Sequence, residues 1–285
     1  MKSMEFSVPM KSTITRLGTW DSKSQVHEPE DRHFSRAFSE LSGKVAIVTG
    51  GSRGIGKATA ALLAKEGADV VITAKDQTRL ENTAKELRKV IAIPGDITKD
   101  VDVQNVVKKT LEKFGRVDIL VNNAGIFPKI KPLHEISESE WNEVIDVNLT
   151  GQFRFTKAVI PHMMKSGGCI VNVSSDAGLK SFANFEADAY SASKAALVLL
   201  TKAWAVEYAK YKIRVNCVCP GIVETDMTKP YLRNEAERSI AEADYPIGRI
   251  GTPDDVAKAI FYLVSEDSSW VTGAVLPIDG GALTK

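Results

Sequence analysis

Lys44-Val45-Ala46-Ile47-Val48-Thr49 runs without a break into Gly50-Gly51-Ser52-Arg53-Gly54-Ile55-Gly56, and an amphipathic stretch follows from about residue 57 to 65. A continuous apolar run of this length reads as a strand buried on both faces, the kind found in parallel sheets. A strand, a glycine-rich turn and a helix N-terminus in succession make an anion site. Backbone N–H groups converge there on a phosphate, and glycines remove the Cβ atoms that would block its approach. The spacing is G-x-x-x-G-x-G, one residue wider at its start than the common dinucleotide fingerprint. Three glycines with these flanks favour a bound dinucleotide over a bare strand-to-helix turn. Its phosphates are expected against Gly50, Ser52, Arg53, Gly54, Ile55 and Gly56.

Downstream of this unit the same alternation continues. Apolar strands are expected at 69–73, 90–94, 118–121, 169–173, 213–218 and 274–278. Between them lie helices near 78–89, 99–114, 138–165 and 254–265, and a long one containing Tyr190 and Lys194. Seven strands alternating with about six helices, without an internal repeat, predict one doubly wound α/β domain of Rossmann type. Its seven-stranded parallel sheet would carry helices on both faces. No second domain is left over, so loops at the carboxyl edge of the sheet must bind the substrate. A polar, partly helical lid near 226–245 is one of them. Residues 1–41 show no helical or strand period, and Pro9 and Pro29 interrupt them. They read as a flexible extension ahead of a domain at 42–285. They lack the apolar core of a secretory signal, and Glu5 and Asp21 argue against a transit peptide.

Composition narrows the function. The 285 residues are 44% hydrophobic and 26% charged with a net charge of +1, which gives no general pull toward nucleic acid or membrane. The longest apolar runs are strand-sized, far short of a bilayer span. Cys169, Cys217 and Cys219 are too few for a disulfide framework, and no His or second Cys pair completes a metal site. They read as small buried thiols of a cytoplasmic protein.

Strand ends carry the remaining cofactor residues. An NAD site commonly has an acid at the end of the second strand to bind the adenosine ribose. Here Ala74 and Lys75 occupy that end, with Asp76 beyond it. With Arg53 in the glycine turn, two cations suit a 2′-phosphate, so NADP(H) is expected in preference to NAD(H). Asp96, followed by Ile97, sits at the third strand's end. It either accepts from an adenine amino group or caps the next helix. Asn122-Asn123-Ala124-Gly125 is either a sheet-stabilising network or part of the cofactor wall.

The chemistry centres on Ala189-Tyr190-Ser191-Ala192-Ser193-Lys194. Tyr190 and Lys194 lie one helical turn apart on one face. A phenol with an ordinary pKa of about 10 is a poor acid–base group at neutral pH, and a neighbouring ammonium favours the phenolate. Asn148 falls inside a predicted helix, where Asn competes for backbone hydrogen bonds. Ser174-Ser175 closes a strand.

In combination, Thr49-Gly50…Gly54-x-Gly56, Asn122-Asn123-Ala124-Gly125, Asn148, Ser175, Tyr190-x-x-x-Lys194 and Pro220-Gly221 resemble the short-chain dehydrogenase/reductase family over about residues 41–281. The general look is that of 3-oxoacyl-carrier-protein reductases. The resemblance implies a catalytic set of Asn148, Ser175, Tyr190 and Lys194. Tyr190 would exchange a proton with the carbonyl oxygen, Ser175 would hold that oxygen, and Lys194 would bind the nicotinamide ribose. Asn148 would hold a water linking Lys194 to solvent. It also implies cofactor contacts at Asn123, Ala124, Gly125, Pro220, Gly221, Val223 and Thr225, and a homo-oligomer, tetramer or dimer.

Ser175 to Tyr190 spans about two positions more than in many members, and the extra residues fall within 180–188. The positions where carrier-protein reductases place docking arginines fall on Ser166 and Tyr211, with Lys165, Lys210 and Lys212 beside them. Lysine is a point charge and not a fork, which leaves an acyl carrier protein partner open. The expected activity is NADP(H)-dependent interconversion of a carbonyl and a secondary alcohol, with a 3-oxoacyl thioester among the substrates considered. The alternatives are a general ketone or sugar/polyol dehydrogenase and, from another class, a dinucleotide-binding regulatory protein without turnover.

Overall fold

A computed structural model describes residues 40–182 and 185–285. The extension expected over residues 1–41 lies outside the described residues except for its last two. Leu41 belongs with the domain instead: it is buried, and its N–H donates to the Glu66 carbonyl at 2.8 Å.

Seven strands form one parallel sheet: β1 (Val45–Thr49), β2 (Asp69–Thr73), β3 (Val90–Ala92), β4 (Ile119–Asn122), β5 (Gly168–Val173), β6 (Ile213–Pro220) and β7 (Val275–Ile278). Their order is β3-β2-β1-β4-β5-β6-β7. The chain therefore winds outward from β1 in one direction, then crosses back to wind outward from β4 in the other. The connections on either side of β1 and β4 part at that reversal and leave a crevice at the carboxyl ends, where open α/β sheets bind ligands.

Alternation along β1 explains both layers. Ala46 and Val48 face a core closed by Ala60 and Leu63 of α1 (Gly54–Lys65), Leu80 of α2 (Gln77–Glu86) and, further along the chain, Ile260 and Leu263. Ile47 faces the other way, toward Val106 of α3 (Asp100–Phe114) and the Phe155, Val159 and Leu197 side chains. Consecutive strand residues point to opposite faces, so a strand with no polar residue has to be covered on both.

Two of the differences from expectation shape the site. Helix α1 starts at Gly54, three residues early, so the second half of the glycine turn is already its first turn. The helix expected over 138–165 is divided into α4 (Glu138–Ile145), a π-helical turn (Asp146–Thr150) and α5 (Gly151–Met163). Asn148 sits in that turn. A wide turn inside a helix is often found at a functional site, and here it carries the residue that fits a regular helix poorly. The chain continues through α6 (Asp188–Tyr208), α7 (Glu235–Ala243) and α8 (Pro253–Val264).

Candidate active site

A cavity of about 670 Å³ follows the carboxyl edge of the sheet. All predicted site residues line it except Gly56 and Asn148, which stand one layer behind. Gly56 backs the turn: a Cβ there would lie 2.3 Å from the Gly50 oxygen and 2.6 Å from Asn123 Nδ2. Asn123 Nδ2 donates to the carbonyls of Thr49 (2.8 Å) and Gly50 (3.3 Å), and Thr49 Oγ1 accepts from the N–H groups of Asn123 and Ala124. Asn122 Nδ2 reaches Asn172 and Thr156, so the Asn-Asn turn serves the sheet and the cleft wall together.

Cations collect at the glycine-turn end. Arg53 lies 3.5 Å from Asp226 of the lid, and Arg79 pairs with the same carboxylate at 2.5 Å. Arg79 was not among the expected residues. It is three positions into the turn that follows Asp76, so the first turn of α2 carries it back toward the strand edge. Asp76 accepts from the Arg79 N–H at 3.0 Å, which makes it a helix cap. Lys75 is largely exposed and lies 3.3 Å from Asp96. Asp96 does not cap α3, whose N-cap is Lys99; it accepts from the Thr98 N–H and hydroxyl instead. Burial pushes its carboxyl up, but the hydrogen bonds from Thr98 and Lys75 outweigh this and hold it below the ordinary value. A phosphate-bearing dinucleotide suits this end, with glycine backbone close by and two guanidiniums at hand.

The other end holds Ser175, Tyr190 and Lys194. Ser175 is the second residue beyond β5, and its Oγ donates to Asp176 Oδ1 at 2.9 Å. Lys194 is buried, donates to the Val173 carbonyl at 2.9 Å and lies 5.5 Å from the centroid of the Tyr190 ring. Ser174 is turned away, donating to the Lys194 carbonyl. The side-chain amide of Asn148 clamps Ile126. Its Oδ1 accepts from the Ile126 N–H (2.8 Å) and its Nδ2 donates to the Ile126 carbonyl (2.9 Å).

The profile of the family described as Enoyl-(Acyl carrier protein) reductase matches residues 50–283. The chain is 43% identical to the 3-oxoacyl-[acyl-carrier-protein] reductase FabG of Thermotoga maritima over 249 residues, which cover 85% of this chain and 98% of that protein. It belongs to the short-chain dehydrogenase/reductase family. It is also 38% identical to the L-fucose dehydrogenase of Mus musculus over 250 residues, 86% of this chain and 90% of that one. The crystal structure of the 3-ketoacyl-(acyl-carrier-protein) reductase from Brucella melitensis complexed with NADH superposes with a TM-score of 0.80 at 37% identity, covering 85% of this chain and 99% of that one. The protein is thus an NAD(P)-dependent oxidoreductase acting on CH–OH groups.

In this dehydrogenase/reductase burial, and not the Lys194 ammonium, sets the direction in which the Tyr190 phenol moves. Burial pushes the phenol up to about 12, against a smaller downward pull from Ser175. Burial also pulls the Lys194 ammonium down to about 8. The reason is the aromatic cover. Phe127 packs edge-on at 4.9 Å between ring centroids, Phe185 lies at 6.5 Å, and Tyr231 of the lid closes on Phe127 at 5.9 Å. Desolvation disfavours both charged forms. Of these rings only Phe185 was foreshadowed, through the lengthened loop that contains it. Phe127 had a weaker signal, an aromatic two residues past Gly125.

Proposed function

We propose that this protein interconverts a carbonyl and a secondary alcohol using NADP(H), with Tyr190 as the acid–base group. The observation that carries the reading is the convergence of Ser175, Tyr190 and Lys194 at one end of a cleft whose other end is a glycine turn flanked by cations. When bound, the nicotinamide supplies or accepts the hydride. Ser175 holds the substrate oxygen, Tyr190 delivers or takes its proton, and Lys194 secures the nicotinamide ribose. Asn148 holds the wall beside them through Ile126. A phenol near 12 keeps its proton at neutral pH, the form that carbonyl reduction consumes. NADP(H) preference rests on Arg53 and Arg79, with Lys75 above Asp96.

Substrate class is tested by cofactor oxidation with acetoacetyl thioesters, simple ketones, diketones, aldehydes and sugar lactones, each with NADPH and NADH. The expected result is turnover with a preference for NADPH. Thioester preference would support an acyl reductase and make a carrier protein the next partner to test, with Lys165, Lys210 and Lys212 as its contacts. Preference for sugar-derived carbonyls would support the second reading, a sugar/polyol dehydrogenase, which the likeness to L-fucose dehydrogenase favours. Tight cofactor binding without turnover on any member would favour a binding protein.

We also propose a homo-oligomer, dimer or tetramer. Leu199 and Val206 lie seven residues apart on α6, both exposed, and Phe153 of α5 is exposed as well. A second copy would cover such side chains. Sedimentation at micromolar protein is expected to give a dimer or tetramer, and a monomer would overturn this. A cytoplasmic setting is supported by three free buried cysteines. Among the described residues no helix is long and apolar enough to cross a membrane.

A further inference from the structure

Asp176 is a buried carboxylate beside the candidate site, and none of the roles above uses it. Its residue is 9% exposed. Oδ1 accepts from the Ser175 hydroxyl at 2.9 Å and from the Ala177 N–H at 2.8 Å. The titratable groups that face it come from each neighbouring element. They are Asp279 beyond β7, Tyr245 beyond α7, Tyr190 of α6 and Cys219 of β6. None of these is a cation, and no salt bridge among the described residues reaches it. Burial first, then the like charge of Asp279, push its carboxyl up to about 6 against the hydrogen bonds from Ser175 and Ala177.

A serine hydroxyl has one proton to give. While that proton is donated to a carboxylate, only oxygen lone pairs face the cleft. A substrate oxygen that gains negative charge during reduction needs a donor there, not an acceptor. A protonated Asp176 has lost its charge, so its Oδ1 claims the Ser175 proton more weakly, and its new O–H is itself a donor. We propose that Asp176 is a positioning residue that holds the Ser175 proton away from the reacting oxygen and releases it when protonated, so that turnover is faster in mild acid. The inference rests on the reading of Ser175 and Tyr190 as the groups that meet the substrate oxygen. Both directions of the reaction cross one transition state, so the restraint acts on alcohol oxidation as well as on carbonyl reduction.

The test is kcat/KM against pH, from 5 to 7, for the unaltered enzyme, Asp176→Asn and Asp176→Val, using NADPH and the best carbonyl of the panel. This window stays below the Lys194 ammonium, near 8, and far below the Tyr190 phenol. A hydrogen bond's usual net worth corresponds to about a fivefold change. With a midpoint near 6 the window from pH 7 to pH 5 spans most of the titration, and the unaltered enzyme is therefore expected to gain about three- to fourfold across it. Both variants are expected to lose this dependence; at pH 7 Asp176→Val, which has no acceptor, is expected to exceed the unaltered enzyme by a similar factor, and Asp176→Asn, whose neutral Oδ1 still accepts, by less. The gain should appear in alcohol oxidation at the same pH. Cofactor affinity, followed by fluorescence titration, is expected to stay unchanged and identifies a variant that has failed to fold; the other variant then carries the test. An active enzyme whose pH limb persists in the variants, or variants no faster at pH 7, would overturn the role of Asp176 alone. No turnover with any carbonyl would overturn both this role and the assignment on which it rests.

Discussion

Tyr190→Phe is expected to lower kcat by roughly 10²–10⁴-fold while NADPH affinity stays nearly unchanged. The substitution removes one oxygen and leaves the ring. The edge-on contact with Phe127 and the packing against Phe185 survive, so the pocket keeps its shape. Lys194 keeps its bond to the Val173 carbonyl. What is lost is the one group at this end of the cleft, among the described residues, placed to exchange a proton with an oxygen that Ser175 would hold. The unaltered phenol, near 12, stays protonated across the ordinary working range, and its activity as an acid should not fall until well above neutrality. Stopped-flow single turnover separates the loss of chemistry from any loss of binding. Retained turnover in the variant would remove Tyr190 from its assigned role.

The contrast between Tyr190 and Asp176 shows what the amino-acid sequence reveals and what it conceals. Tyr190 and Lys194 are legible because one helical turn sets their relation, and spacing alone carries it. The glycine turn and the seven strands are legible for the same local reason. Asp176 stands next to Ser175 in the chain, yet its meaning depends on Asp279 and Tyr245, each more than sixty residues away. Arg79 and Asp226 meet across 147 positions, and their pairing follows from the lid lying over α2's first turn. Burial governs the Tyr190 phenol because rings from two other loops dry the site. Local patterns fix which groups face the cleft. Their protonation and partners depend on crossings that no short window contains.

Gly56→Ala should weaken cofactor binding by at least about tenfold and lower thermal stability together, a loss matching about 1–3 kcal/mol of overpacking. A Cβ at this position would sit 2.3 Å from the Gly50 oxygen, 2.9 Å from the Gly50 carbonyl carbon and 2.6 Å from Asn123 Nδ2. None of these atoms is the free end of a flexible side chain. The Gly50 carbonyl belongs to the turn, and Asn123 is tied to Thr49 through both its backbone and its amide. Relief must therefore come from moving the turn away from α1, and that movement spoils the convergence of N–H groups on a phosphate. The cost thus falls on the phosphate end, while Ser175 just beyond β5 and Tyr190 and Lys194 on α6 keep their places. Fluorescence titration with NADPH, run beside a thermal melt, reads both quantities. Binding at full strength would mean that the turn can absorb a methyl group, and that its glycines serve chain geometry and not a ligand.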